Sequence, residues 1–223
     1  MEQQSHDAHE TVVNRFTQQD AAAIYAGKHE NSATHRRECR CIVTGLEGVE
    51  AGSHILDLPC GAGRFLPLLL GMGYRVTEAD VGPEMVDEAK AKAEAENMDL
   101  NKLSFDVADI MDSPYEDKAF DAVLCNRLFH HFPHSDLRQN ALRELGRICK
   151  GPIIVSYFAN LAWDSFIFHM RHKLTRTKPP GRIPIWASTF NKDAEAAGLK
   201  VVQTLKTRPG ISKQWYAVLR CND

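Results

Sequence analysis

His54-Ile-Leu-Asp-Leu-Pro-Cys-Gly-Ala-Gly-Arg-Phe65 is the stretch from which the rest of the chain is read. A short apolar run over 55–58 carries an acid, Asp57, and breaks at Pro59, Cys60, Gly61 and Gly63. Apolar residues at helical spacing follow from Arg64 to Leu70. A strand that ends in glycines and re-enters a helix brings backbone close to a ligand, because glycine adopts positive φ and has no side chain in the way. In an open α/β sheet such turns sit at the carboxyl ends of the strands, where ligands bind.

The same rhythm continues outward. Apolar runs at 74–79, 103–107, 120–125 and 153–158 read as strands, and 83–97, 136–149 and 188–197 as helices. Pro83 suits a first helical turn, where its missing N–H costs nothing. Leu137, Ala141, Leu142, Leu145 and Ile148 recur at helical spacing. Gly198 closes the last helix, and two final strands, 199–204 and 215–219, flank Arg208-Pro-Gly210 with no helix between them. The pattern predicts an α/β fold: a doubly wound, mostly parallel seven-strand sheet with a C-terminal antiparallel hairpin and a helical lid. Residues 1–50 form the N-terminal lid and 51–158 a Rossmann-like core. Residues 159–187 form a basic and aromatic cap, and 188–223 complete the core.

With 223 residues, 43% of them hydrophobic, the chain suits one domain with a sizeable core. A net charge of -2 argues against DNA and RNA as partners. Six scattered cysteines with no C-x-x-C pair read as reduced thiols of a cytoplasmic protein. The polar start MEQQSHDAHE has no apolar signal core, and no apolar stretch approaches the ~18 residues of a membrane span.

Two further acids follow the turn. Asp80 ends the second strand, where a carboxylate accepts both hydroxyls of a ribose. Asp109 lies just past the third strand, set to accept from an adenine amino group while Ile110 packs on the base. In order, DLPCGAGRF, TEADVGPEMVDEAK, FDVADI and FDAVLCNRLFHHF resemble the successive motifs of class I S-adenosylmethionine-dependent methyltransferases over about residues 50–158. The resemblance implies S-adenosyl-L-methionine as cofactor. Asp57 would hold its amino group, directly or through water, and Asp80 its ribose. Val81 or Met85 would stack on the adenine, and Pro59, Cys60, Gly61, Gly63 and Asn126 would line the cofactor. Tyr25 and Arg37 (or Arg36) match by position the Tyr and Arg that touch the methionine carboxylate in related enzymes. Pro59 stands where the family's first loop glycine is usual, and no glycine lies near Leu66, as a dinucleotide fingerprint requires. That favours the methyl donor over NAD, since the donor has no pyrophosphate to cradle.

The resemblance also points Cys125-Asn-Arg-Leu-Phe-His-His-Phe132 at the transferred group. His130 and His131 are candidate bases for an acceptor hydroxyl, each with packing beside the cofactor as the plainer reading. His134 adds a third histidine, but no carboxylate or cysteine is placed to complete a metal site. Arg127 would bind an anionic substrate or pair with an acid. Between Asp164 and Asp193 there is no acidic residue, whereas Arg171, Lys173 and Arg176 follow the aromatic run Trp163-Asp-Ser-Phe-Ile-Phe-His-Met170. Such a segment would cap the site and attract an anionic acceptor, rest through 163–182 on an anionic membrane surface, or be a solvated basic loop. The expected function is O- or N-methylation of a polar, anionic small molecule or a sugar- or lipid-linked acceptor. RNA or protein methylation, and a non-catalytic binding scaffold on the same fold, are the alternatives.

Overall fold

Strands β1 (His54–Asp57), β2 (Arg75–Asp80), β3 (Leu103–Val107), β4 (Ala122–Cys125), β5 (Ile153–Phe158), β6 (Leu199–Lys206) and β7 (Gln214–Cys221) form one sheet. Its order is β3-β2-β1-β4-β5-β7-β6. The first five strands pair in parallel, and β7 runs antiparallel between β5 and β6. The computed structural model describes residues 32–160 and 183–222, with Trp163 and Met170 besides. Tyr25, Arg171, Lys173 and Arg176 lie outside the described residues, as do most of the expected cap and the first 31 residues of the expected lid.

The helices of the described part are α1 (Ala33–Gly45), α2 (Leu66–Gly71), α3 (Pro83–Ala95), α4 (Ser135–Ile148) and α5 (Ala187–Ala196). The Ser32 hydroxyl caps α1 by accepting from His35 N at 3.0 Å. The seven expected strands and the helices expected over 83–97, 136–149 and 188–197 are present, with bounds shifted by a residue or two. The helix expected from Arg64 starts at Leu66 because the positive-φ turn at Gly61 and Gly63 carries on through Arg64 and Phe65. Phe120 makes only an isolated bridge to Cys149 and does not join β4.

Side chains alternate across a strand, and this alternation splits the core in two. Leu56, Val123, Cys125, Ile153, Val155 and Tyr157 face α4 and α5, with Leu142, Leu145 and Phe190. Ile55, Val76, Leu124, Ile154 and Tyr216 face the other side, with Ile42, Leu46, Leu66 and Leu69. The central strands β1, β4 and β5 are buried on both faces, as parallel strands between helices must be. Edge strand β6 keeps Lys200, Gln203 and Lys206 toward solvent.

Where α4 meets α5, an ion pair is buried. Arg138 Nε donates to Asp193 Oδ2 at 2.7 Å, and the guanidinium also reaches Phe132 O and Ser135 Oγ, each at 2.8 Å. Removing one partner of such a pair strands the other charge in the core. Asp193→Ala is therefore expected to cost about 3–5 kcal/mol of stability, read as a lowered midpoint in urea unfolding.

Candidate functional site

The turn after β1 is held in place by β2. Gly61 has φ 55° and Gly63 φ 65°, in the left-handed region that favours glycine. A Cβ on Gly61 would touch nothing within 4 Å, so there the backbone angle alone requires glycine. A Cβ on Gly63 would lie 3.2 Å from both Cα and Cβ of Ala89, so there glycine also lets α3 pack against the turn. Cys60 N donates to Ala79 O at 2.8 Å. Asp80 completes the clasp: its Oδ2 accepts from Gly61 N and its Oδ1 from Gly82 N, both at 3.0 Å. Burial pushes the Asp80 carboxyl up, and the N–H groups of Gly82, Gly61 and Val81 pull it back.

Asp57 and Glu78 lie under this turn. They are register partners on neighbouring parallel strands, on the α1 side of the sheet together with Ile55 and Val76. Both are fully buried, and neither carboxyl oxygen of either residue has a hydrogen-bond partner. Burial drives the Asp57 carboxyl well above the usual range; Asp80 adds to this and Arg64 opposes it. Burial and then Asp57 do the same to Glu78, with the Cys60 thiol opposing. The Cys60 thiol itself is pushed up by burial and by Glu78, Asp80 and Asp57, and it points to Gly61 O at 3.2 Å. A thiol so placed stays protonated, which makes it a small packing residue and not a nucleophile.

Beyond β3, Asp109 is half-buried, and its Oδ1 accepts from Met111 N at 2.9 Å. Ile110 beside it is buried, as is Met85 in the first turn of α3, and Val81 is half-buried. These groups surround the carboxyl ends of β2 and β3.

At the end of β4 the chain does something the sequence left open. Arg127 has φ 58°, unusual for a residue with a side chain. Ser156 Oγ accepts from its backbone N–H at 2.7 Å. Its guanidinium is taken by Glu38 of α1, whose Oε1 accepts from Nη2 at 2.8 Å and Nε at 3.1 Å. Glu38 Oε2 meanwhile accepts from Arg64 of the glycine turn. Arg64 Nε also donates to His35 Nδ1 at 3.1 Å, and His35 stacks on Phe65. Thus the second of the two readings of Arg127, pairing with an acid, describes its contacts, and an anionic substrate would have to compete with Glu38 for it. Asn126 is buried, and its Oδ1 accepts from Tyr216 Oη of β7 at 2.8 Å. Arg37 is half-buried and Arg36 exposed on α1.

His130 and His131 lie in a 3₁₀ turn, Phe129–His131, and both are buried. The His130 ring stacks on Phe158 at 3.9 Å with a 5° interplanar angle, and the His131 ring is 4.3 Å from it. His130 O accepts from Ile183 N at 2.8 Å. Ile185 N donates to Phe158 O at 2.6 Å, and Asn160 N to Ile185 O at 3.0 Å. The 159–187 segment therefore leaves and returns at the carboxyl end of β5, beside the two histidines.

The family profile described as a methyltransferase domain matches residues 55–151, the span that runs from β1 through the glycine turn and the histidine turn to the foot of β5. A methyltransferase, GfsG, of Streptomyces halstedii is 31% identical to this chain over 103 residues, 46% of this chain and 36% of that protein. The 27-O-demethylrifamycin SV methyltransferase of Amycolatopsis mediterranei is 28% identical over 109 residues, 48% and 39% of the two chains. The matched stretch thus spans little more than a third of these curated relatives. Among solved structures, magnesium protoporphyrin IX methyltransferase of Synechocystis with bound SAH superposes with a TM-score of 0.71 at 20% identity, covering 84% of each chain. The fold of the described residues is the methyltransferase fold.

Two acids, one inside the matched stretch and one in the helix before it, escaped the sequence reading. Glu78 had a signal, a charged residue inside a strand otherwise suited to burial. Glu38 had none, because its partners Arg64 and Arg127 are 26 and 89 positions away. Glu38→Ala would leave both guanidinium groups without their counter-charge. The expected loss is about 3 kcal/mol, the low end for a buried pair, because Arg127 keeps 32% of its side chain in solvent. Chemical denaturation of the variant beside wild type measures it.

Proposed function

We propose that the chain is an S-adenosylmethionine-dependent methyltransferase acting on a polar small molecule. One observation carries this reading: a glycine turn at the carboxyl end of β1 is surrounded, in strand order, by Asp57, Asp80 and Asp109. The groups fit the methyl donor. Asp57 offers unpartnered carboxyl oxygens to its ammonium. Each Asp80 oxygen, already oriented by one backbone N–H, has a second lone pair for a ribose hydroxyl. Asp109, Ile110, Val81 and Met85 supply the acceptor and apolar surface for an adenine. Nothing in this set requires a pyrophosphate, so NAD is the poorer match.

S-adenosylmethionine supplies a methyl group already activated by its sulfonium. The chain's task is then to hold and orient both partners, which contributes about 7–11 kcal/mol in well-aligned reactions. It must also take a proton from a hydroxyl acceptor. One face of His130 is committed to Phe158, so His131 is the better candidate base. The named substrates of similar proteins, 27-O-demethylrifamycin SV and magnesium protoporphyrin IX, support a small-molecule acceptor. The basic residues Arg171, Lys173 and Arg176 of the 159–187 segment favour an anionic one.

Calorimetry tests the donor: S-adenosylmethionine and S-adenosylhomocysteine bind, and NAD gives no heat. Asp80→Ala removes the hydrogen bonds to the ribose and the clasp on Gly61, weakening binding by about 100-fold or more. No heat with either methionine ligand overturns the reading. In a screen with labelled methyl donor, His131→Ala lowers kcat about 100-fold or more with an O-acceptor while donor affinity holds. An unchanged kcat returns His131 to packing.

A further inference from the structure

We propose that Asp57 and Glu78 act as one acid site that shares a single proton in the ligand-free protein and releases it when the ammonium group of the bound ligand enters, with Glu78 the residue that makes binding proton-linked. The inference rests on the cofactor reading above and adds to it a ligand-positioning residue in the interior of β2.

Asp57 and Glu78 are directly paired in register on adjacent parallel strands and lie on the same face. The strands of such a pair are ~4.8 Å apart, so the carboxyl groups are neighbours. They are 1% and 0% exposed, and none of their four oxygens has an N–H or O–H donor; only the Cys60 thiol, directed at Gly61 O, leans on Glu78. Two carboxylates that close, in a medium that disfavours even one charge, do not both ionise; they titrate as a pair. A carboxyl pair left without donors in a native core also calls for a partner that the fold itself does not supply.

The surroundings agree. From the turn, Cys60 and Arg64 face the pair, and from β2, Asp80; the Cys125 thiol, on the other face at the end of β4, is pushed up by burial and then by Asp57. Of these only Arg64 is a cation, and Glu38 already takes its guanidinium. The pair is thus short of one positive charge, and it lies beneath the turn whose backbone would meet the ligand. An ammonium supplies that charge. The balance is simple: the protonated pair plus the ammonium ligand gives the dianionic pair holding the ammonium, with one proton passed to solvent.

The sign follows from linkage. Both carboxyls bind protons more tightly folded than unfolded, because burial and mutual repulsion raise them. Their contribution to stability is therefore complete at acid pH, below the unfolded carboxyl range, and is lost as pH rises through the raised native range. Ligand binding favours the ionised pair, so affinity strengthens as pH rises through that same range.

The experiment is calorimetry on the full chain at pH 7, in phosphate and in Tris, whose ionisation heats differ. The probes are S-adenosylhomocysteine, which carries the ammonium, and 5′-methylthioadenosine, which lacks it. Expected for wild type is release of about one proton with S-adenosylhomocysteine and none with 5′-methylthioadenosine. Glu78→Gln still binds S-adenosylhomocysteine but its release falls toward zero, and its thermal midpoint falls less than that of wild type as pH rises. Glu78→Asp, which keeps a carboxyl, retains the release. A wild type that binds without proton release overturns the proposal while leaving the cofactor reading intact. So does a release that is unchanged in Glu78→Gln or equal with 5′-methylthioadenosine. Absence of any heat with S-adenosylhomocysteine overturns both.

Discussion

The Asp80 carboxylate is the point on which the site depends. It ties Gly61 to Gly82, and so ties the turn after β1 to the turn after β2. Both turns approach from different strands and neither is a regular element, so the one backbone bond from Cys60 N to Ala79 O fixes their separation only in part. A charged acceptor with a backbone N–H on each oxygen does fix it, because such bonds are short and directional. Gly61 makes its bond from a positive-φ conformation and Gly82 from an extended one, so the two N–H groups meet the carboxylate from two different backbones. A ribose hydroxyl reaching the same carboxylate would find it already aimed.

α1 extends that constraint from the loop to the rest of the mouth. Glu38 holds one guanidinium from the turn after β1 and another from the end of β4. The topological switch point of the sheet lies between those two strands, where the order turns from β2 to one side and β5 to the other. A single buried carboxylate therefore spans the crevice in which ligands bind on this fold. Arg127 stays in its left-handed conformation because Ser156 and Glu38 hold both its backbone and its side chain.

Legibility followed distance along the chain. The glycine turn, Asp57 and Asp80 were readable because each sits a fixed few residues from a strand whose apolar run is plain. The element order followed from the same alternation. What was not readable depended on contacts across the fold. Nothing local distinguishes Glu38 from any helix-surface acid, since its burial is created by two arginines that arrive from elsewhere. Arg127 offered two chemistries, and only the position of α1 separates them. Glu78 was quoted within a motif but passed over, because the motif directs attention to the acid at the strand end and not to the one beneath it. Cys60, which the resemblance set beside the cofactor, is a packing residue for a reason no local pattern shows: burial and three surrounding carboxyl groups push its thiol up.

The place of β7 has a consequence of a different kind. It is the last strand in chain order, yet it lies between β5 and β6 and not at an edge. Tyr216 on it reaches Asn126 at the end of β4, 90 positions earlier. During synthesis the five parallel strands emerge first, with the flank of β5 open. The bond from Tyr216 to Asn126 needs that antiparallel strand in place, and contacts of such long sequence separation slow folding. The end of β4, where Asn126 sits, is therefore completed by a strand from the far end of the described residues.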